Sequence, residues 1–240
     1  MTIGEQIINY ASMHNASFLR CDLMRYLDAN DVSKTSANVI LSRLVEQEVL
    51  QKTGYGMYAL SDKGKLPFIY KPSEEEREIA QKIRAKFPFA DFCVWEPSAL
   101  APFMHHIPAL HLTFVDIERV AMESAFLTLQ SNDPSMHLLL NPTAQECERY
   151  ITTEEITIVR PLVNEAPITE VEGTNVPTLE KMLVDAAGDK QMAFAQGSEL
   201  YTIYENAFNS HTVNKSRLLR YASRRNRKEQ ILKILKNIEL

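Results

Sequence analysis

The chain has 240 residues, 45% of them hydrophobic and 24% charged, values ordinary for a globular protein and outside the range of a largely disordered one. No apolar run reaches the roughly 18 residues that span a bilayer, and the first residues lack the basic and then apolar pattern of a signal peptide. Three widely spaced cysteines, Cys21, Cys93 and Cys147, fit a reducing compartment rather than a disulfide framework, so the expectation is a cytoplasmic protein without a membrane partner, built as one large domain or two modest ones. The net charge of −5 is unevenly spread: residues 1–70 carry seven basic and seven acidic side chains, residues 71–210 carry ten and 22, and residues 211–240 carry nine and two. A local basic patch can still grip an anion, because potential is set by charges within roughly 8–10 Å.

Ile3, Ile7, Ile8 and Ala11 recur at three- and four-residue spacing, which predicts a helix over residues 3–14. A break at Asn15 and Ser17 follows, and then a second helix on Leu19, Leu23, Met24 and Leu27, ended by Asn30 and Asp31. Ser33, Thr35 and Ser36 are candidate caps for a third helix with Ala37, Ile40, Leu41 and Leu44 inward. Val49–Thr53 and Met57–Leu60 flank Gly54-Tyr55-Gly56 and read as a hairpin. Helix, helix, helix, hairpin is the order of a winged helix, here residues 1–70, in which the third helix enters the major groove and the hairpin is the wing. The expected solvent face of helix three holds Lys34, Thr35, Asn38, Ser42 and Arg43, and the wing holds Lys52 and Tyr55. These are donors suited to phosphates and base edges. A winged helix of zero net charge can also serve as a protein-interaction module, and the hydroxyls at the start of helix three can be plain caps.

Gly64, Pro67 and Pro72 punctuate a junction. Beyond it, residues 71–240 alternate short apolar strands with helices. A capped helix begins at Ser73 with Glu76. Strands are predicted at Phe92–Trp95, Leu110–Val115, Met136–Leu140, Ile156–Val159 and Ile168–Val171. Helices are predicted at Ser98–Met104, at Glu118–Leu129 with Val120, Ala121, Ala125 and Leu129 inward, after the Thr143–Glu146 capping box, and from Pro177-Thr178 onward. Three helices, about 198–209, 214–225 and 227–238, close the chain. The fold class expected is α+β or α/β: an N-terminal winged helix, then a larger mixed α/β domain with C-terminal helices.

Motifs for nucleotide cradling (GxGxxG, GxxxxGK[ST]), for zinc (HExxH, CxxC) and for a serine nucleophile (GxSxG) are missing, and nothing calls for a cofactor. His105, His106 and His111 cluster, but Pro108 points to a loop. Asp116, Glu118, Glu180, Lys181 and Asp185 resemble in type the carboxylate–lysine set of a Mg²⁺-dependent nuclease. The competing reading makes Asp116 a helix cap, with Glu180 and Lys181 as surface or salt-bridging groups at a helix start. Lys215, Arg217, Arg220, Arg224, Arg225, Arg227 and Lys228 crowd into one stretch backed by Leu218, Leu219, Tyr221 and Ala222. Such a helix can neutralise phosphates, with Arg220, Arg224 and Arg225 as candidate DNA contacts. It can equally dock on the acidic middle of the chain or on an acidic partner.

Two stretches carry a resemblance to a family. One is Leu44–Leu50 followed by Thr53–Leu60; the other is Pro177–Asp185 with Leu218–Asn226. Together with Val94–Leu100 they make the chain resemble the AbiEi-like antitoxins of bacterial type IV toxin–antitoxin systems. The resemblance implies a non-enzymatic regulator whose winged helix binds double-stranded DNA at its own promoter. It further implies a second domain that counters a nucleotidyltransferase-like toxin encoded alongside. The protein would be a monomer or homodimer. The alternative is a winged-helix protein whose second domain is Mg²⁺-dependent and nuclease-like, intact or degenerate.

Overall fold

The computed structural model describes residues 2–14, 17–47, 49–61, 65–151 and 155–238; expectations that touched Asn15, Glu48, Lys63 and Gly64 lie outside them. The chain forms two units, Met1–Pro67 with Asn209–Val213, and Phe68–Phe208 with Asn214–Leu240. The division falls close to the junction at Pro67, and a short later segment belongs to the first unit.

In the first unit, α1 (Ile3–Met13) starts at a capping box in which Thr2 accepts from the Glu5 N–H and Glu5 accepts from the Thr2 N–H. Then come β1 (Ser17–Leu19), α2 (Arg20–Asp28), α3 (Lys34–Glu46), β2 (Leu50–Gly54) and β3 (Met57–Leu60). Asp31 turns the chain between α2 and α3 with a left-handed φ of 59°. Ser33 caps α3, accepting from the Ser36 N–H. The apolar stripes meet in one core of Ile7, Ala11, Leu23, Leu27, Ala37, Leu41 and Leu44, closed by Phe18, Leu50 and Tyr58 from the sheet. Each such buried Leu or Ile contributes about 1.5–3 kcal/mol relative to exposure.

The break expected after α1 contains β1, which pairs antiparallel with β3, giving the order β1-β3-β2. Three residues are too few to display a period of two, so only the pairing with β3 defines it. A further two-residue strand, β4 (Leu66–Pro67), pairs in parallel with His211–Thr212, a long-range pairing that no local pattern announces. Gly54 and Met57 face each other across the hairpin, leaving Tyr55-Gly56 as its turn. Gly56 sits at φ 67° with open space around it.

In the second unit, α4 (Glu74–Lys86) begins at the Ser73–Glu76 capping box. Strands β5 (Phe92–Trp95), β6 (His111–Ile117), β7 (Leu138–Leu140) and β8 (Glu155–Pro161) form one sheet in the order β5-β6-β8-β7. β5 is antiparallel to β6, and the other neighbours are parallel, so the sheet is mixed. A hairpin of β9 (Ile168–Val171) and β10 (Thr174–Pro177) turns at Glu172 and Gly173, both left-handed.

One sheet face packs Phe92, Val94, Val115, Ile117 and Val159 against Ile79 and Ile83 of α4 and Ala125 and Leu129 of α5 (Met122–Asn132). α6 (Ala144–Tyr150) keeps the predicted Thr143–Glu146 box. Helices α7 (Leu179–Gly188), α8 (Ser198–Ser210), α9 (Lys215–Arg224) and α10 (Lys228–Asn237) complete the unit.

Two expectations change. The segment from Ser98 is a 3-10 helix, Pro97–Phe103, because Pro97 and Pro102 punctuate it. The helix expected from Glu118 begins only at Met122, because β6 runs on to Ile117 and Glu118–Ala121 form a turn closed by the Ala121 N–H on the Glu118 carbonyl. Val120, expected to face inward, is therefore 90% exposed. Among the described residues no helix is long and apolar enough to cross a membrane.

The hairpin yields the first prediction. Gly56→Ala should cost about 1 kcal/mol, since an L side chain is disfavoured at its φ even where space is open. Tyr55→Ala, fully exposed beside it, should change stability by less than about 0.5 kcal/mol. Urea denaturation of the two variants checks the contrast.

Candidate functional site

Two groups of polar residues stand out, one exposed in the first unit and one sealed in the second. α3 turns Ala37, Leu41 and Leu44 into the core, which leaves Lys34, Thr35, Ser42 and Arg43 exposed. Asn38 is half-buried, and its Oδ1 accepts from Arg20 Nε at 3.2 Å and Nη2 at 2.7 Å. Arg20 opens α2, and its backbone N–H donates to the Gly56 carbonyl at 2.8 Å, so one residue joins α2, α3 and the hairpin turn. Lys52 is exposed, with its Nζ 6.0 Å from the Tyr58 ring centre. Exposed Val39, Leu19 and Met57 place apolar groups among these donors.

Sequence reasoning missed Arg20. A signal was there: a cation in the first turn of a helix opposes the helix dipole, so it asks for a partner elsewhere.

The acidic set of the second unit divides. Asp116, Lys181 and Asp185 converge; Glu118 and Glu180 do not. Register brings Cys93, Asp116 and Arg160 into one row across β5, β6 and β8, and Trp95, Phe114 and Ile158 into the next row on the same face. α7 crosses that face. Its Lys181 and Asp185, one turn apart, pair with each other at 2.7 Å, and Lys181 also reaches Asp116. Arg160 pairs with Asp116, with Asp189 at 2.8 Å and with Asp185 at 3.4 Å. From α9, Tyr221 donates to Asp185 at 3.0 Å, and Arg225, just beyond the helix, pairs with Asp185 and Asp189. Trp95 Nε1 donates to Asp116 at 2.9 Å, and the Arg160 guanidinium lies 3.8 Å from the Phe114 ring centre.

Asp116, Arg160, Lys181, Asp185 and Asp189 are buried, and Arg225 nearly so. Three carboxylates thus meet three cations without net charge. Burial alone would raise the Asp116 carboxyl, but Arg160 and Lys181 outweigh it and hold the group well below the ordinary carboxylate range. Burial pulls the Lys181 ammonium down, and Asp116 and Asp185 more than reverse this. Asp189 goes the other way, pushed up by burial against the pull of Arg160 and Arg225.

The reading of Asp116 as a helix cap is therefore corrected, and of the two readings of Lys181, surface or salt-bridging, the salt-bridging one holds, with the residue in the interior: both belong to a buried ion network. Glu180 accepts from the Asn214 N–H at 2.9 Å and pairs with Arg217 at 3.7 Å, while Glu118 stands in the turn after β6. No group of described residues is arranged to hold a metal ion through three or more His, Cys, Asp or Glu side chains. His105 and His106 instead donate their backbone N–H groups to Glu199. Arg160, Asp189 and Trp95 were missed from the sequence; no motif links them.

The basic C-terminal stretch also divides. Arg225, expected as a DNA contact, is engaged by Asp185 and Asp189, and Arg224 contacts Glu165. Arg220 is exposed and pairs with no described carboxylate. Much of the basic stretch thus docks on acids of its own unit.

The ion network predicts a pH signature. Asp116→Asn leaves buried cations unbalanced and should cost about 3 kcal/mol or more at neutral pH. Because Asp116 is held low when folded, its contribution is complete above the ordinary aspartate value of about 3.9 and fades as pH falls below it. The raised Asp189 has the opposite sign, since its protonation on acidification relieves the folded state. The gap between parent and variant, measured by urea denaturation, should narrow below about pH 4. A gap unchanged toward pH 2 would overturn this assignment.

Comparison with curated proteins finds no significant match. A family model described as a family of unknown function, DUF6577, matches residues 36–240, which covers the whole second unit and, in the first, most of α3 and everything after it. The chain belongs to the DUF6577 family.

Proposed function

We propose that the protein binds double-stranded DNA through α3 and the β2–β3 hairpin, and that it regulates transcription of its own operon as an antitoxin of the AbiEi-like kind. Its second unit would counter a nucleotidyltransferase-like toxin encoded alongside. It acts by binding and not by catalysis. One observation carries the reading: a helix with a fully apolar inner stripe exposes Lys34, Thr35, Ser42 and Arg43, with Asn38 and Arg20 beside them, next to a hairpin bearing Lys52 and Tyr55. The order α1, β1, α2, α3, β2, β3 with a β1-β3-β2 sheet supports a winged helix, whose third helix is the element that enters the major groove.

The nuclease alternative needs carboxylates free to hold Mg²⁺ and a lysine open to water. Asp116, Asp185 and Lys181 are instead engaged with one another, with Arg160 and with Tyr221 inside the core, which argues against it.

Gel-shift titrations on the gene's upstream duplex and on an unrelated duplex test the DNA reading. Binding should favour the upstream duplex and fall at least tenfold between about 50 and 200 mM salt. Lys34→Ala and Arg43→Ala should each weaken binding and lower the salt slope by about one. Equal binding to both duplexes at low salt, or none, would overturn it. The antitoxin part predicts recovered growth when the protein is co-expressed with the nucleotidyltransferase-like product of a neighbouring gene.

A further inference from the structure

We infer that Arg20 and Asn38 form a donor-only reading pair, which accepts an acceptor-only nucleic-acid edge, either guanine O6/N7 or a backbone phosphate oxygen, and turns adenine away. The inference rests on the DNA-binding reading above and specifies what that surface recognises.

An asparagine amide offers one acceptor and two donors. Its characteristic base partner is adenine, whose N6 donates to Oδ1 while N7 accepts from Nδ2. Here Oδ1 already accepts from two nitrogens of Arg20, Nε at 3.2 Å and Nη2 at 2.7 Å. The amide orientation is set by chemistry: a guanidinium has no acceptor, so the flipped amide would place donor against donor. The pair therefore offers the Nδ2 hydrogens of Asn38 and the remaining N–H groups of Arg20, with no acceptor available to adenine N6 or cytosine N4.

Two further observations keep the pair in this state. Arg20 is anchored at its backbone, where its N–H donates to the Gly56 carbonyl at 2.8 Å, and Gly56 lies in the hairpin turn. Among the described residues no carboxylate pairs with Arg20, so its charge is not neutralised and favours an electron-rich acceptor. Asn38 lies on α3 between Lys34 and Ser42 at helical i,i+4 spacing, so the pair belongs to the same surface as the other donors.

The test is selection from a pool of randomised duplex DNA, using the full chain and its Asn38→Ala, Arg20→Ala and Arg20→Met variants. A thermal melt of each checks folding. The parent should select guanine at a position whose preference Asn38→Ala removes, by about tenfold or more. Both Arg20 variants release Oδ1 and should move that position toward adenine. If the acceptor is a phosphate, Asn38→Ala should instead leave all base preferences intact and weaken binding uniformly, and Arg20→Ala should lower the salt slope by about one. Either pattern supports the pair. Adenine at the Asn38-dependent position in the parent, unchanged in the Arg20 variants, overturns the pair and leaves DNA binding standing. So does an Asn38→Ala variant that alters neither preference nor affinity. A parent that enriches no duplex removes the DNA reading itself, and the pair with it.

Discussion

Charges taken out of water must be balanced by partners close at hand, and in the second unit this condition governs how the helices meet the sheet. Asp116 and Arg160 sit opposite each other on parallel strands, Lys181 and Asp185 sit one turn apart on α7, and Tyr221 and Arg225 are four residues apart at the end of α9. Each spacing places two groups on one side of its element. The network closes only when sheet, α7 and α9 are all in place, because a missing member leaves an uncompensated charge in the interior. A hydrophobic contact tolerates sliding; hydrogen-bonded ions with matched partners do not. α7 is buried along nearly its whole length, and the network gives that apolar helix a definite rotation and depth.

The same constraint sorts the basic residues near the C-terminus. A run of cations read along the sequence looks like one patch. In space its members separate by the helix period, so that Tyr221 and Arg225 turn toward the sheet while Arg220 faces water. The charge excess of this stretch is partly matched by Glu165, Glu180, Asp185 and Asp189 of the same unit. That leaves the proposed DNA-reading role with α3 and the hairpin, where Lys34, Arg43 and Lys52 are exposed and, among the described residues, no carboxylate pairs with them.

The first unit handles polarity in the opposite way. Its core is apolar, from Ile7 to Tyr58, and among the described residues it buries no charged side chain. Arg20 shapes its surface, since it ties α2 to the hairpin turn through its backbone and to α3 through its side chain. A pair of this kind occupies the Asn38 carbonyl oxygen, so in the proposed DNA-reading role specificity would depend on a residue outside the helix expected to read the groove.

Local patterns in the sequence determined a good deal. The helix stripes of α1 to α3, the Ser73–Glu76 and Thr143–Glu146 capping boxes, the glycine-tipped hairpin and the alternation of strands with helices are all written within a few residues of one another, and short-range sterics and hydrogen bonding suffice to form them. Tertiary structure alone decided what depends on residues distant in sequence meeting. β1 exists because β3 lies beside it, and β4 because residues 211–212 return to it. Asp116 became interior because its row of the sheet faces α7, and Arg20 became part of a surface because α2 and α3 cross near the hairpin. An aspartate, a lysine or an arginine reads the same wherever it occurs in a sequence; burial and the identity of its partner decide whether it holds its charge and what that charge does, and both are properties of the folded chain.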